Sequence, residues 1–201
     1  MKVDVVEAEL NRAIQLLGSV DRNITIFGSA RVELDDPMAK QAYQLGKSLS
    51  DAGFNILTGA GPGIMQAANQ GAFEGKSQSI GLNIQLPKEQ TPNDFLDQCI
   101  SFEHFFTRKV VLIKYACACV FFPGGFGTAD ELFEVLTLVQ TRKGQAMKIF
   151  LVGREYWTPL VAWFDQQLAD RGYISAQDLA SFEIVDGADQ IIKRIGDIAC
   201  H

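Results

Sequence analysis

The sequence predicts a doubly wound α/β fold, with helices on both faces of a mostly parallel sheet. The first observation is that short apolar runs alternate with longer segments of helical periodicity along the whole chain. The second is that two apolar runs end in glycine-rich turns, at residues 59–63 and 124–127, and each turn leads into a helical segment. Strands that alternate with helices pair in parallel through right-handed crossovers, so both observations favour one doubly wound sheet.

Proline and glycine residues divide the first half of the chain into elements. In the N-terminal segment, apolar residues recur every three or four positions, which is typical of an amphipathic helix. Pro37 suits the first turn of the next helix, and Gly53 suits its end. The predicted elements are a helix over residues 4–19, a strand over 23–27, a helix over 37–52, a strand over 54–57, a helix over 64–73 and a strand over 79–84.

The second half continues the alternation after a loop with two prolines at residues 86–93. Its apolar runs are short and bounded by turn residues, as buried strands are. Trp157 and Trp163 are expected in the core or at an interface. The predicted elements are a strand over residues 99–102, a helix over 105–115, a strand over 115–122, a helix over 132–140, a strand over 147–152, a helix over 158–171, a strand over 182–185 and a helix over 188–199.

The chain is organised around the stretch PGGFGTADE at residues 123–131, between a buried strand and a helix. Its glycines allow a sharp turn and the close approach of a ligand. The free N–H groups and positive dipole end of the helix favour an anion there, and Glu131 adds a carboxylate. Thr128 and Glu131 also fit a capping box, which needs no function beyond starting the helix. The residues alone leave both interpretations open.

Two other strand ends are candidates for the same site, because ligands of doubly wound sheets bind beyond the carboxyl ends of the strands. One is Gly28-Ser29, and the other is the turn at residues 59–63. The latter turn is not the GxGxxG dinucleotide fingerprint, and close packing of helix and strand explains it equally well. Arg108 and Lys109 are adjacent on a predicted helix, which usually marks a solvated face. Arg108 becomes a site candidate only if it points towards the turn at 124–127.

Composition and charge limit the possible classes of protein. The 201 residues predict a single domain over residues 1–201, and 47% apolar with 21% charged residues is typical of a globular protein. The net charge of −6 argues against binding to nucleic acid or to an anionic membrane. The N-terminus lacks the pattern of a signal peptide, and no apolar run has membrane-spanning length. We therefore expect a soluble, cytoplasmic protein.

Histidine and cysteine usage predicts no metal site. The four cysteines form no zinc-type CxxC pairs. There are only two histidines, one of them the last residue, which argues against a Ser-His-Asp triad. His104, next to two phenylalanines, is expected to be structural. Cys117 and Cys119 occupy alternate positions of an apolar strand and are expected to pack as small hydrophobic residues.

The stretch at residues 123–131 is similar to the PGGxGTxxE signature of the Lonely Guy (LOG) family. Members of this family are Rossmann-like phosphoribohydrolases that have also been described as possible lysine decarboxylases. Three further stretches agree in order and spacing: FGSA at residues 27–30, GAGPGIM at 59–65 and TRK at 107–109. The resemblance spans residues 23–153, which is most of the chain.

The resemblance implies hydrolysis of the N-glycosidic bond of a nucleoside 5′-monophosphate to free base and ribose 5-phosphate, with no cofactor. The substrate would be AMP or an N6-substituted AMP such as a cytokinin nucleotide. Residues 81–87 resemble the bacterial nucleotide nucleosidase-like members, and Asp130 stands where plant members often carry Glu. By position, Arg108 and Glu131 match the catalytic pair. The other implied site residues are Gly28, Ser29, Gly61, Gly63, Lys109, Gly124, Gly125, Gly127, Thr128, Asp130 and Thr137.

Two alternatives remain beside the hydrolase. A non-enzymatic protein that binds a nucleotide or the molybdenum cofactor would use the same glycine-rich phosphate cradle. A lysine decarboxylase would need pyridoxal phosphate on a Schiff-base lysine, and no residue of the sequence marks such a lysine. The resemblance also implies a homodimer or a dimer-based oligomer, for which the apolar helix at residues 110–115 could supply the contact.

Overall fold

The computed structural model describes residues 2–86, 91–144 and 147–195, and the strands within these ranges form one seven-stranded, fully parallel sheet. The strands are β1 (Asn23–Phe27), β2 (Asn55–Thr58), β3 (Ser79–Ile84), β4 (Gln98–Phe102), β5 (Ala116–Phe121), β6 (Lys148–Val152) and β7 (Phe182–Val185). Their order across the sheet is β4-β3-β2-β1-β5-β6-β7. The predicted doubly wound α/β fold is therefore confirmed.

Helices cover both faces of the sheet. They are α1 (Val3–Leu17), α2 (Pro37–Asp51), α3 (Ile64–Phe73), α4 (Phe105–Lys114), α5 (Phe126–Gln140), α6 (Arg154–Trp163), α7 (Ala176–Leu179) and α8 (Ala188–Ile195). Because side chains alternate along a strand, Ile24 and Ile26 of β1 face α2, α3 and α8, whereas Phe27 faces α1, α4, α5 and α6. None of the helices in the described ranges combines the length and apolar content needed to cross a membrane.

Local signals explain where α2 begins and how closely it packs. Pro37 is its first residue, and the carboxylate of Asp36 accepts a hydrogen bond of 2.7 Å from the N–H of Met38. In the middle of α2, a Cβ on Gly46 would collide with the carbonyl group of Ala68 in α3. Glycine is therefore required at position 46 for the two helices to lie against each other.

The strand order reverses between β1 and β5, which are neighbours although three other strands lie between them in the chain. At the carboxyl ends of these two strands, Phe27 pairs with Phe121, and their rings stack with centroids 4.7 Å apart. Just beyond, the N–H of Ser29 donates to the carbonyl of Pro123 at 3.1 Å. These contacts hold the two turns after β1 and β5 side by side, at the place where doubly wound folds bind ligands.

The start of α5 differs from the prediction. The helix begins at Phe126 instead of residue 132, directly after Gly125. Apolar periodicity starts only at Leu132, because Phe126 is exposed and the first residue of α5 that is both buried and apolar is Leu132. The glycine turn is consequently shorter than predicted.

The C-terminal third also differs in detail. α6 begins at Arg154, and the second part of the predicted helix over residues 158–171 is a π-helical segment, Phe164–Ala169. The short α7 was not predicted, since four residues are too few to show a period. The predicted loop at 86–93 and helix at 188–199 lie partly outside the described residues.

A buried polar cluster fixes the turn that follows β2. The side-chain oxygen of Asn69 accepts from the Thr58 hydroxyl at 2.5 Å, and its amide donates to the Ser79 hydroxyl at 2.9 Å. Asn93 also donates to Asn69 at 3.1 Å, while its backbone N–H bonds to the carbonyl of Ala60 at 2.9 Å. Asn69 is fully buried, so each of these groups depends on the others for a partner.

Replacing Asn69 with Ala is expected to lower the free energy of unfolding by about 2–3 kcal/mol, because it leaves several buried polar groups unpaired. Urea denaturation followed by circular dichroism measures this loss. Asn11→Ala, at an exposed position of α1, is the matched control and should change stability by less than about 0.5 kcal/mol. An equal effect of both variants would contradict the assigned role of the cluster.

Candidate active site

A cavity of about 1060 Å³ opens at the carboxyl ends of the strands where the order reverses. It is lined by the turn after β1, by Gly59 after β2, by the glycine turn after β5 and by parts of α4, α5 and α6. Among the described residues that line the cavity, the charged side chains are Arg31, Arg108 and Glu131. Two cations and one carboxylate therefore face the same space.

The glycine turn leaves the start of α5 open towards the cavity. Gly125 is the N-cap and has no side chain to cap the helix, and the first helical bond runs from the N–H of Ala129 to the carbonyl of Gly125 at 3.0 Å. The preceding N–H groups, of residues 126–128, have no acceptor within the helix. A Cβ on Gly125 or Gly127 would meet no atom within 4 Å, whereas one on Gly124 would overlap the side chain of Thr128. The turn can accept an anion against its backbone.

The interpretation of Thr128 and Glu131 as a capping box is wrong. Because Gly125 is the N-cap, Thr128 is the third residue of α5 and Glu131 the sixth. A capping box needs its hydroxyl at the N-cap and its carboxylate at the third position. The carboxylate of Glu131 therefore has no part in starting the helix, and it lines the cavity instead.

Glu131 and Arg108 form a buried, loosely spaced pair. Their side chains are 14% and 9% exposed, and the distance from Arg108 Nη1 to Glu131 Oε1 is 3.9 Å. That distance is longer than a hydrogen bond, so the pair leaves donors and acceptors of both groups for a ligand. Burial raises the pKa of Glu131 to about 7, and the charge of Arg108 opposes part of the rise. The carboxyl group can therefore hold or release a proton near neutral pH.

Arg108 is held inside the protein, and the expectation of a solvated basic face on α4 is wrong for this residue. Its Nε donates to the carbonyl of Leu82, in β3, at 2.7 Å. A Cβ on Gly59 would overlap the guanidinium, so glycine at position 59 makes room for it. Burial lowers the pKa of Arg108, and the carboxylate of Glu131 opposes this effect. The turn at residues 59–63 was predicted as a site candidate, but Gly59 itself was not among the implied site residues.

The other predicted residues of the first two turns occupy different places. Gly28 and Ser29 line the cavity, and a Cβ on Gly28 would collide with the side chain of Ile64. Gly61 and Gly63 do not line it. Gly63 has a φ of +67°, and a Cβ there would collide with the carbonyl of Ser29, so this glycine shapes the turn into α3. Ligand binding by these four residues stays a prediction.

Lys109, Asp130 and Thr137 lie outside the cavity lining. The ammonium group of Lys109 is 2.9 Å from a carboxylate oxygen of Asp130 and 2.8 Å from one of Glu134, and these ion pairs link α4 to α5. The hydroxyl of exposed Thr137 donates to the carbonyl of Phe133 at 2.7 Å. A contact of these three residues with a nucleotide stays a prediction.

Sequence reasoning missed Arg31 and the aromatic wall of the cavity. Arg31 follows Gly28-Ser29-Ala30 and lies exposed at the cavity. Phe126, 97% exposed, stands at the start of α5, and Trp163 lines the opposite side from α6. A glycine-rich turn can be recognised in a sequence. The periodicity of α6, in contrast, does not show which of its residues line a cavity.

Among the described residues, no histidine or cysteine side chain lines the cavity. The Nδ1 atom of His104 lies 3.3 Å from a carboxylate oxygen of Glu9, as suits a structural role. Cys117 and Cys119 are buried in β5, and burial raises the pKa of the Cys119 thiol. In the part of the chain that the structure describes, no three His, Cys, Asp or Glu side chains form a group that could hold a metal ion.

Comparison with known proteins places the chain among nucleotide-hydrolysing relatives. A protein-family profile described as "possible lysine decarboxylase" matches residues 65–195. A probable cytokinin riboside 5′-monophosphate phosphoribohydrolase of Oryza sativa subsp. japonica is 25% identical over 181 residues, which cover 89% of this chain and 78% of that protein. A pyrimidine/purine nucleotide 5′-monophosphate nucleosidase of Escherichia coli K12 is 30% identical over 122 residues, which cover 56% of this chain and 27% of that protein.

Solved structures extend the comparison of the fold. The molybdenum cofactor binding protein of Rippkaea orientalis superposes with a TM-score of 0.63 at 18% identity, over 86% of this chain and 93% of that one. At this identity the similarity shows a shared fold. The profile, in contrast, matches well over half of the chain, and the chain therefore belongs to the possible lysine decarboxylase family, which is the Lonely Guy family.

Proposed function

We propose that the protein hydrolyses the N-glycosidic bond of a nucleoside 5′-monophosphate, AMP or an N6-substituted AMP such as a cytokinin nucleotide, to free base and ribose 5-phosphate. One observation carries the proposal: a buried carboxylate, Glu131, shares a cavity with an uncapped, glycine-flanked helix N-terminus. The carboxylate of Glu131 can stabilise positive charge that develops during a reaction, and the helix N-terminus can bind a phosphate group. Distant relatives named as phosphoribohydrolases and nucleotide nucleosidases support a hydrolase of this kind.

The phosphate is proposed to lie against the start of α5. The N–H groups of residues 126–128 have no acceptor within α5, and Gly125 and Gly127 carry no side chain that would keep an anion from the backbone. Arg31, an exposed residue that lines the same cavity, supplies a positive charge. Local donors thus attract an anion despite the net charge of −6.

The proposed reaction places Glu131 at the sugar. The bond between C1′ and the base nitrogen breaks, and its electron pair leaves with the base, which takes up a proton. The oxygen of a water molecule bonds to C1′ and loses a proton, so that one water is consumed in total. As in glycoside hydrolysis, positive charge develops on the ring, and a carboxylate can stabilise that charge and accept the proton of the water.

Arg108 has two proposed tasks in the same centre. Its charge favours the ionised form of Glu131, against the burial that raises the pKa of that group. Its Nη1 and Nη2 atoms are available to ribose or phosphate oxygens, since only Nε is bonded to Leu82. A lysine could not do both, because it lacks the planar fork of donors.

The base is proposed to lie among aromatic side chains. Four aromatic side chains that line the cavity are Phe105, Phe126, Phe133 and Trp163. Base stacking on aromatic rings is favourable and tolerates different bases. The lining therefore supports a nucleotide but selects no particular base.

A binding protein for a nucleotide or for the molybdenum cofactor is the second candidate, and the Rippkaea orientalis neighbour shares its fold with this chain. The carboxylate of Glu131 disfavours this candidate, because a buried negative charge opposes the binding of an anion. A protein that only binds its ligand needs no such carboxylate. Saturable binding of AMP without release of adenine would support the carrier.

The protein is expected to hydrolyse AMP at least about 100-fold more efficiently than adenosine, as measured by kcat/KM, because the phosphate contacts are used to hold the sugar in the reactive position. Chromatography of the released base measures both rates, and a panel of other nucleoside monophosphates and a cytokinin nucleotide defines the preferred base. Equal rates on AMP and adenosine would contradict the proposed phosphate site.

The pH dependence of turnover is expected to report Glu131. Since the reaction uses the carboxylate form, kcat/KM should rise with pH and reach half of its plateau near pH 7, not near the ordinary carboxyl value of 4.5.

Replacing Glu131 with Gln should lower kcat about 10²–10⁴-fold at every pH, because an amide is not a base and carries no negative charge. The variant should still bind AMP. Near-parental turnover of this variant would remove Glu131 from the mechanism.

Stability provides a control for the same variant. The pKa of Glu131 is higher in the folded protein than in the unfolded chain, so the folded state binds the proton more tightly. The parent should therefore lose up to about 3 kcal/mol relative to Glu131→Gln as pH rises from about 4.5 to about 7, and the two should be similar at lower pH. This comparison separates loss of chemistry from loss of folding.

We further propose a homodimer or a dimer-based oligomer. Phe105, Phe106 and Val110 of α4 are 56%, 45% and 43% exposed, and together they form an apolar surface. Light scattering at micromolar concentration should give at least twice the mass of the chain, and Phe106→Asp should reduce it. A monomeric mass of the parent would contradict the proposal.

A further inference from the structure

Glu9 of α1 is a buried carboxylate that the proposed chemistry does not use. Its relative exposure is 0%. One oxygen accepts from the N–H of Glu103 at 2.5 Å, and the other lies 2.5 Å from the hydroxyl of Thr107 and 3.3 Å from Nδ1 of His104. All three partners belong to the turn between β4 and α4 or to the first turn of α4.

The hydrogen bonds of Glu9 together change its pKa more than its burial does. Burial alone raises the pKa of Glu9, but its bonds to Thr107, Glu103 and His104 favour the ionised form, and the net effect is a lowered pKa. A buried charge is unfavourable unless its environment is built for it. The ionised carboxylate is thus the form that the fold holds at this place.

The start of α4 needs an acceptor from elsewhere in the chain. Its N-cap is His104, whose side chain makes no capping hydrogen bond. The charge of Glu9 lies near the positive end of the α4 dipole, and its partners are the N–H of Glu103, which precedes the N-cap, and the side chains of His104 and Thr107. Farther along, the hydroxyl of Thr25 in β1 donates to the carbonyl of Leu112 at 2.6 Å. Polar contacts therefore fix α4 at both ends, from α1 on one side and from the sheet on the other.

Arg108 is the residue directly after Thr107. Thr107 is 1% exposed and points to Glu9, while Arg108 is 8% exposed and points to the cavity, where its Nε bonds to Leu82. The two side chains leave the same helical turn in different directions. A shift of the start of α4 would therefore move the guanidinium relative to Glu131.

We propose that Glu9 is a positioning residue, which fixes the start of α4 through Thr107, Glu103 and His104 and thereby sets the place of Arg108 against Glu131. This inference rests on the proposed function, in which Arg108 and Glu131 form the reacting centre. It assigns a role in catalysis to α1, which lies outside the residues that match the family profile.

The charged groups around Glu131 determine what the test can measure. Arg108 and Lys109 of α4 favour its ionised form, and Asp130 and Glu134 of α5 disfavour it. Of these, Arg108 is the main opponent of the rise caused by burial. If the start of α4 loosens, that opposition weakens, and the pKa of Glu131 should rise further.

The test compares Glu9→Gln with Glu7→Gln, a matched change at an exposed position of the same helix. For Glu9→Gln we expect kcat for AMP to fall about 10–100-fold with KM changed less than about threefold, since small displacements within a reacting centre have effects of this size. The midpoint of the pH profile should move upward by up to about 1 pH unit. Glu7→Gln should leave both unchanged.

A second pair of variants applies if Glu9→Gln does not fold. Thr107→Val removes the hydroxyl that faces Glu9, and Thr107→Ser keeps it. The valine variant should reproduce the loss of kcat and the upward shift, and the serine variant should restore both to near-parental values. Parental kcat and midpoint in folded Glu9→Gln or Thr107→Val would overturn the proposal.

Carboxyl ¹³C NMR titration of Glu131 separates this inference from the proposed function. If the parent hydrolyses no nucleotide, the proposed function fails, but the pKa of Glu131 should still rise in Glu9→Gln and not in Glu7→Gln. An unchanged Glu131 pKa in folded Glu9→Gln overturns the positioning role, whether or not the parent is active.

Discussion

The structure depends on placing one buried guanidinium and one buried carboxylate side by side without a hydrogen bond between them. Burial disfavours the charged form of both Arg108 and Glu131, and each opposes that effect in its partner. At 3.9 Å the two charges are close enough to interact and too far apart to satisfy their hydrogen bonds. Other parts of the structure therefore have to hold the two side chains in place. The carbonyl of Leu82 accepts a hydrogen bond from Arg108, and Gly59 has no side chain that would collide with the guanidinium. Glu131 is carried by α5, which begins at Phe126.

Much of the fold could be predicted because each element carries its own signal. The alternation of apolar runs and amphipathic segments identified every strand of the described sheet, and Pro37 and Gly53 marked helix ends. The errors lie where local signals are weak. Periodicity does not show the first turn of α5, because Phe126 is exposed and Gly127 adds no side chain. It also does not distinguish the π-helical segment Phe164–Ala169 from the α-helix that precedes it.

The site was predictable only in part, for a physical reason. The glycine turns could be predicted because they follow strands directly, and ligands of this fold bind beyond the strand ends. Glu131 could be predicted because it lies within the same motif, at residues 123–131. The burial of Arg108 depends on Gly59 and Leu82, which are distant in sequence. The sequence of α4 alone therefore does not indicate these contacts. The capping-box interpretation was wrong because it relied on spacing alone, and the N-cap proved to be Gly125.

The strand order also has a consequence for how the protein reaches its active form. The strands β1 and β5 come together only after the chain has completed β2, β3 and β4 and returned through α4. Pairings between such distant segments form late, since a long loop must close before they contribute. Arg108 lies on that returning helix, and Glu131 lies beyond it. A nascent chain therefore cannot bring Arg108 and Glu131 together until the two halves of the sheet have joined.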